Sequence, residues 1–219
     1  PQGGLKAQHL NILKAYKDIW GAKVEGDFLG SSRIVFFPGP GLRCKSYFLD
    51  IGTAGSIGLV LQSLILALTF VLKEDFQLHI RGGTAGKWAI PVDYYPQVVF
   101  RLLGIEAQLQ ILKRGYYPKG AGEIVLEFKP QRNLRRIVLD KPSSVKRLRI
   151  HSIASLSLKS RNVAQRQLES AKKVLLSSLE DIPLEEQIEY VDTLSPGSEI
   201  NLWCLMSSGS ILWADSLGE

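Results

Sequence analysis

Apolar positions near the start of the chain recur at helical spacing. Leu5, His9, Ile12, Leu13, Tyr16, Ile19 and Trp20 share one face, and Lys6, Asn11, Lys14 and Asp18 fill the other. This pattern predicts an amphipathic helix over 5–20, stopped by Gly21. Short strands are expected at 23–25 and 33–37, ended by Pro38-Gly39-Pro40. A strand at 46–51 then turns through small residues into a long buried helix at 56–72. Phe76, Leu78 and Ile80 alternate with polar neighbours, which predicts a strand at 75–81. A second helix is expected at 93–103, ended by Gly104. Strands follow around 108–111 and at 124–128, where Ile124, Leu126 and Phe128 line one face before Pro130. Further on, 148–158 reads as a strand. Asn162 is placed to cap a helix running to about 179, with Gln165 completing a capping box. Strands at 187–191, 200–206 and 211–214 complete the pattern, the last two joined by Ser207-Ser208-Gly209.

The order helix, Gly21, strand, strand, Pro38 returns as helix, Gly104, strand, strand, Pro130. This suggests an α/β (α+β) architecture in which a βαβαββ unit occurs more than once, its first copy shortened at the start. Between 129 and 149 the pattern loosens and basic residues gather around Pro142-Ser143-Ser144. A boundary is therefore expected there, giving a large domain over 1–141 and a smaller, incomplete α/β domain over 142–219. The basic run reads either as a solvated linker or as an RNA track.

At 45% hydrophobic and 22% charged residues, the chain has the balance of a folded domain, not of a disordered tail. A net charge of +6 permits an anionic partner without requiring one. Two cysteines, Cys44 and Cys204, with no Cys/His cluster, argue against a zinc site and suit a reducing compartment. The longest apolar run, Leu59 to Leu72, is interrupted by Gln62, Ser63 and Thr69 and is too short to span a bilayer comfortably. No basic-then-apolar leader opens the sequence. The expectation is a cytoplasmic protein with no membrane partner. The chain begins at Pro1 without a methionine and stops at Glu219 just after a strand pattern, so both ends are expected to continue in a longer protein.

Four features bear on chemistry. Arg114-Gly115-Tyr116-Tyr117-Pro118-Lys119-Gly120-Ala121-Gly122 reads either as a glycine-rich hairpin or as a phosphate cradle served by Arg114 and Lys119. Asp50 to Ser56 joins a strand to a helix N-terminus, and reads as a tight turn or as an anion site; it lacks the Gly-Lys-Ser/Thr of a P-loop. Gln62 lies within an apolar helix, where a buried amide needs a partner: a neighbouring strand or the edge of a base. His9, His79 and His151 lie in no catalytic pattern and read as packing or surface residues.

Taken together, these segments resemble the RNA 3′-terminal-phosphate cyclase family. Residues 114–124 resemble its signature Arg/His-Gly-x-x-Pro-x-Gly-Gly-Gly-x-Ile/Val, with Ala121 in place of the middle glycine. Gly4-Leu5-Lys6-Ala7-Gln8-His9-Leu10 is similar to its Pro-Gly-Leu-x-x-Gln-His-Leu stretch, with Gly3 where proline stands. Ile51-Gly52-Thr53-Ala54-Gly55-Ser56 and Leu59-Val60-Leu61-Gln62 resemble a third stretch, and Gly82-Gly83-Thr84 with Pro91-Val92-Asp93-Tyr94 a fourth. Tyr190 to Ser198 and Ala214 to Glu219 are similar to parts of its smaller inserted domain.

The resemblance implies repeated βαβαββ units with a smaller α/β domain inserted into the last. It also implies a reaction with ATP and a divalent metal (Mg or Mn) as cofactors and an RNA 3′-phosphate end as partner. A histidine takes AMP from ATP, AMP passes to the RNA 3′-phosphate, and the 2′-OH then expels AMP to leave a 2′,3′-cyclic phosphate. By position it implies nucleotide-binding roles for Gln62, Ile90, Pro91, Asp93 and Tyr94, with Gln62 at the adenine edge and Tyr94 stacked on the ring. Gln8, Arg114 and Lys119 are implied near the phosphates. Ile90 stands where proline is usual, and Ala85-Gly86 replaces a more polar pair. None of the three histidines matches the nucleophile, which is expected beyond Glu219, so this fragment alone is expected to be inactive. The alternative is a non-catalytic cyclase-like protein acting in ribosomal RNA processing.

Overall fold

In the computed structural model, residues 3–52, 54–131, 136–176 and 182–218 are described. Thr53 of the small-residue turn, Arg132 and Arg135 of the basic run, and the expected helix end at 177–179 lie outside them.

Helix α1 (Ala7–Trp20) buries Leu13, Ala15, Ile19 and Trp20 and ends on Gly21, whose φ of 70° lets it close the last turn in the left-handed region. β1 (Lys23–Glu25) and β2 (Val35–Phe37) pair antiparallel. β3 (Ser46–Asp50) runs through α2 (Ile57–Val71) into β4 (Phe76–Gly82), which lies parallel to β3 as a helical crossover demands. β5 (Ala107–Lys113) and β6 (Gly122–Phe128) complete a four-stranded sheet of order β3-β4-β6-β5. This β3–α2–β4–helix–β5–β6 run is one full βαβαββ unit, and α1–β1–β2 has the order of its second half. Gly104, like Gly21, caps its helix with positive φ, at 64°. One core joins α1, α2, the four-stranded sheet and the helical segment before β5. α2 contributes Ile57, Val60, Leu61, Leu64, Ile65 and Leu68, packed on Leu78, Ile80, Ile124, Leu126 and Phe128 of the sheet.

The helix expected at 93–103 forms as two pieces. A wide turn over Tyr95–Val99, closed by the Phe100 N–H on the Tyr95 carbonyl, leads into α3 (Phe100–Leu103). Pro96 lacks an N–H and crowds the preceding turn, so the backbone opens to i+5 bonding there.

Beyond residue 144 a second core forms. β7 (Val145–Ser155), α4 (Val163–Leu176), β8 (Leu184–Val191), β9 (Ser198–Met206) and β10 (Ile211–Leu217) build a sheet of order β10-β9-β7-β8. α4 is the crossover between the parallel strands β7 and β8. It packs Leu168, Ala171 and Leu175 on Ile150, Ile200 and Leu202. Glu199, Asn201 and Trp203 alternate with these residues along β9 and so occupy the opposite face. Two local expectations change here. β7 stops at Ser155, and Leu156–Arg161 coils into a 3₁₀ turn. Asn162 adopts φ 49° to leave that turn, and the Gln165 side chain accepts from the Tyr190 hydroxyl, so the capping box does not form.

No helix among the described residues is long and apolar enough to cross a membrane.

Candidate active site

Three motif loops lock together through backbone that only glycine permits to come so close. Gly83 donates to the Gly55 carbonyl at 2.9 Å, and the Gly83 carbonyl accepts from the first N–H of α2, at Ile57, at 3.0 Å. A Cβ on Gly82 would sit 2.6 Å from the Gly55 carbonyl oxygen. Thr84 then zips to the hairpin: its N–H donates to the Gly115 carbonyl at 2.9 Å, and its Oγ1 accepts from the Gly115 N–H at 3.1 Å. The loop before β9 closes the assembly. Lys119 N–H donates to Ser195 Oγ at 3.1 Å, and Gly197 lies against the Tyr116 ring, where a Cβ would come within 2.3 Å.

These contacts surround a cleft of about 630 Å³. Gln8, Ala54, Ser56, Leu59, the loop 85–89, Tyr116, Tyr117 and Pro196-Gly197-Ser198 line it, with Leu217 and Gly218 at one side. Its size suits a nucleotide. Ser56 caps α2, accepting from Leu59 N–H at 3.1 Å, so the positive end of the helix dipole faces this space. Of the expected site residues, Gln8 alone is a wall of the cleft.

The others stand elsewhere. Gln62 is exposed on the outer face of α2 and is not the buried amide its apolar surroundings suggested. Ile90 packs on the main core, and its carbonyl comes so close to Gly58 that a Cβ there would lie 2.0 Å away. Pro91 is buried, and the Tyr94 ring packs at right angles to Trp213, with centroids 5.6 Å apart. Lys119 is exposed, its backbone on Ser195.

Asp93 and Arg114 come together, but in a buried ion cluster. Arg114 is 5% exposed and forks onto both oxygens of Asp93 at 2.7 and 2.9 Å. It also donates to Glu199 Oε1 of β9 at 2.9 Å, and the Tyr116 hydroxyl donates to the same oxygen at 2.9 Å. Arg114 thereby clamps the hairpin to the segment before the wide turn and to the second sheet, and, buried and off the cleft wall, it is not presented to a phosphate there. Burial pushes the Asp93 carboxyl upward, but the Arg114 hydrogen bonds outweigh it and hold Asp93 below the ordinary aspartate value. Burial raises Glu199 above the ordinary glutamate value, with Arg114 offsetting only part. Its second oxygen, Oε2, has no hydrogen-bond partner among the described residues. Burial, and then the Glu199 charge, also push the Tyr116 phenol far up.

All three histidines have structural partners. His9 Nδ1 accepts from the Lys6 N–H at 3.0 Å and so closes the first turn of α1. His79 pairs with Glu123 at 2.5 Å and His151 with Glu189 at 2.9 Å. Among the described residues no carboxylate or imidazole lines the cleft, and no cluster of His, Cys, Asp or Glu could hold a metal ion.

The sequence reading missed Trp88, Tyr117 and Ser198 as walls of the cleft. Ser198 and Tyr117 lay within motifs already singled out; Trp88 carried no signal beyond an aromatic ring in a glycine-bounded loop.

A family model described as RNA 3′-terminal phosphate cyclase matches residues 1–211. The RNA 3′-terminal phosphate cyclase of Hyperthermus butylicus is 38% identical over 227 aligned positions, covering 100% of this chain and 62% of that protein. Those of Archaeoglobus fulgidus and Pyrococcus abyssi are each 40% identical, covering 97% of this chain and 63% and 62% of their own lengths. The chain thus spans a little under two thirds of the length of these relatives.

Proposed function

The chain belongs to the RNA 3′-terminal phosphate cyclase family, and from that premise we propose that it serves the ATP-dependent conversion of an RNA 3′-phosphate into a 2′,3′-cyclic phosphate. The observation that carries this reading is the convergence of Gln8, the α2 N-terminus, the loop 85–89, the hairpin and Pro196-Gly197-Ser198 on one cleft of nucleotide size. A phosphate monoester is a poor electrophile, and transfer of AMP to it supplies a good leaving group. A histidine first displaces pyrophosphate from ATP to form an enzyme–AMP adduct. The 3′-phosphate oxygen then takes the AMP. The neighbouring 2′-OH attacks the 3′-phosphorus, loses its proton and expels AMP, closing the ring.

In this reading the chain's own residues bind and orient. Gln8 donates its amide to a phosphate oxygen, and the α2 dipole favours negative charge beside Ser56. Residues 1–141 supply most of the cleft, and 142–219 close it through Pro196-Gly197-Ser198. Among the described residues the cleft offers no anionic ligand, so these residues do not by themselves fit a protein-held divalent ion. Each histidine here is engaged away from the cleft, so we propose that this 219-residue polypeptide binds ATP without becoming adenylylated. The substrate RNA and a cytoplasmic setting belong to the same proposal.

Calorimetric titration tests it. The polypeptide should bind ATP, and Gln8→Ala should weaken binding several-fold with an unchanged unfolding midpoint. Incubation with α-labelled ATP should leave no acid-labile protein-bound label. Absence of ATP binding would sink the cleft assignment, and a labelled protein band would sink the claim about the histidines.

A further inference from the structure

Two aromatic rings at the cleft are left almost bare. Trp88 is 87% exposed and Tyr117 81%, the highest values among the large apolar side chains of the described residues. Single exposed apolar side chains are ordinary on a protein surface. These two arise from different loops, one following Gly82-Gly83-Thr84 and one in the hairpin, yet both line the same cleft. Among the described residues no ring contact joins them. Each presents a π-face to solvent that neither packing nor a neighbouring ring consumes.

Their electrostatic setting is cationic. Lys87 Nζ lies 5.7 Å from the Trp88 ring centroid, and exposed Lys119 follows Tyr117 by two positions. Among the described residues no carboxylate lines the cleft. Bare rings beside lysines on the wall of a nucleotide-sized cleft are the elements from which proteins build sites for single-stranded nucleic acid. Bases stack on the rings, and the backbone is neutralised beside them.

We infer that Trp88 and Tyr117 are a stacking platform for a base at the 3′ end of an RNA strand whose terminal phosphate enters the cleft. The inference rests on the proposed function and adds to it which residues grip the strand. An RNA base fits better than the adenine of ATP because the rings face solvent, where a strand must leave the cleft. Because every base has a π-face, the platform is tolerant of sequence.

The test uses 5′-labelled hexaribonucleotides ending in a 3′-phosphate, with or without abasic residues at the last two positions. Binding is followed by fluorescence anisotropy. The wild-type protein should bind the intact strand about tenfold more tightly than the abasic one, the loss expected for one stacked base. Trp88→Ala/Tyr117→Ala should bind both strands equally, at the weaker level. Trp88→Phe and Tyr117→Phe should keep most of the discrimination, and because the rings are exposed all variants should unfold at the wild-type midpoint. A double variant that still distinguishes intact from abasic RNA overturns the inference. So does a wild-type protein that never distinguishes them, or a double variant whose loss falls on ATP alone. If base discrimination holds but strands ending in 3′-phosphate and 3′-hydroxyl bind equally, the platform stands and the cyclase reading fails. If the wild-type protein binds no RNA, both fall.

Discussion

Replacing Arg114 by methionine separates two roles that its sequence context allows: phosphate ligand and structural clamp. The side chain makes three charge-assisted hydrogen bonds at 2.7, 2.9 and 2.9 Å, and its carboxylate partners are themselves only 12% and 2% exposed. Methionine keeps the volume but strands both carboxylates in a site sealed from water. Breaking a buried pair in this way costs about 3 to 5 kcal/mol, a sizeable part of the roughly 5 to 15 kcal/mol that holds a domain together. For a chain of this size that lowers the unfolding midpoint by about 6 to 20 °C. The pH dependence gives a sharper reading. In the wild type, the depressed Asp93 pKa contributes stability above the ordinary aspartate value, and this is lost as pH falls through the folded pKa. Without Arg114, burial and the repulsion between the two carboxylates outweigh the remaining hydrogen bonds, so both pKa values rise above those of the unfolded chain. The variant then binds protons on folding and regains stability as pH falls towards 5. Urea unfolding between about pH 5 and 8 should therefore show a gap between the two proteins that widens with pH. A gap below about 1 kcal/mol at neutral pH, or one that does not change with pH, would refute the clamp.

Two further outcomes follow from the same region. Glu199→Gln leaves the Asp93–Arg114 fork intact and removes a carboxylate whose ionised form burial already penalises, so its cost should stay within about 1 to 2 kcal/mol, well below that of Arg114→Met, in the same urea series. Ala121 holds φ 56°, where its Cβ crowds the following carbonyl at a cost of about 1 to 2 kcal/mol; Ala121→Gly relieves this against an entropic loss of about 0.5 to 1 kcal/mol and should raise the midpoint slightly, whereas a lowered midpoint would contradict the assigned backbone.

The element order was legible because it depends on local periodicity, and most element ends agree to within a few residues. What was not legible depends on phase and on distance. Gln62 looked buried because its neighbours are nearly all apolar. At 100° per residue it shares a face with Leu66 and Phe70, which are 49% and 69% exposed, while Val60, Leu61, Leu64, Ile65 and Leu68 turn inward. A helix apolar on both sides carries no polar stripe from which to read its orientation. Arg114 looked available because nothing near it in sequence neutralises it. Its partners lie 21 residues before and 85 after. The glycine motifs were readable as tight backbone, but not which loop each would meet. That follows from β3 and β4 being parallel neighbours, which brings Gly55 beside Gly83, and from the hairpin then closing on Thr84. The cleft is thus a consequence of sheet order: glycines remove the side chains that would hold three loops apart, and the residues left on their rims, Trp88 and Tyr117 among them, become the contact surface.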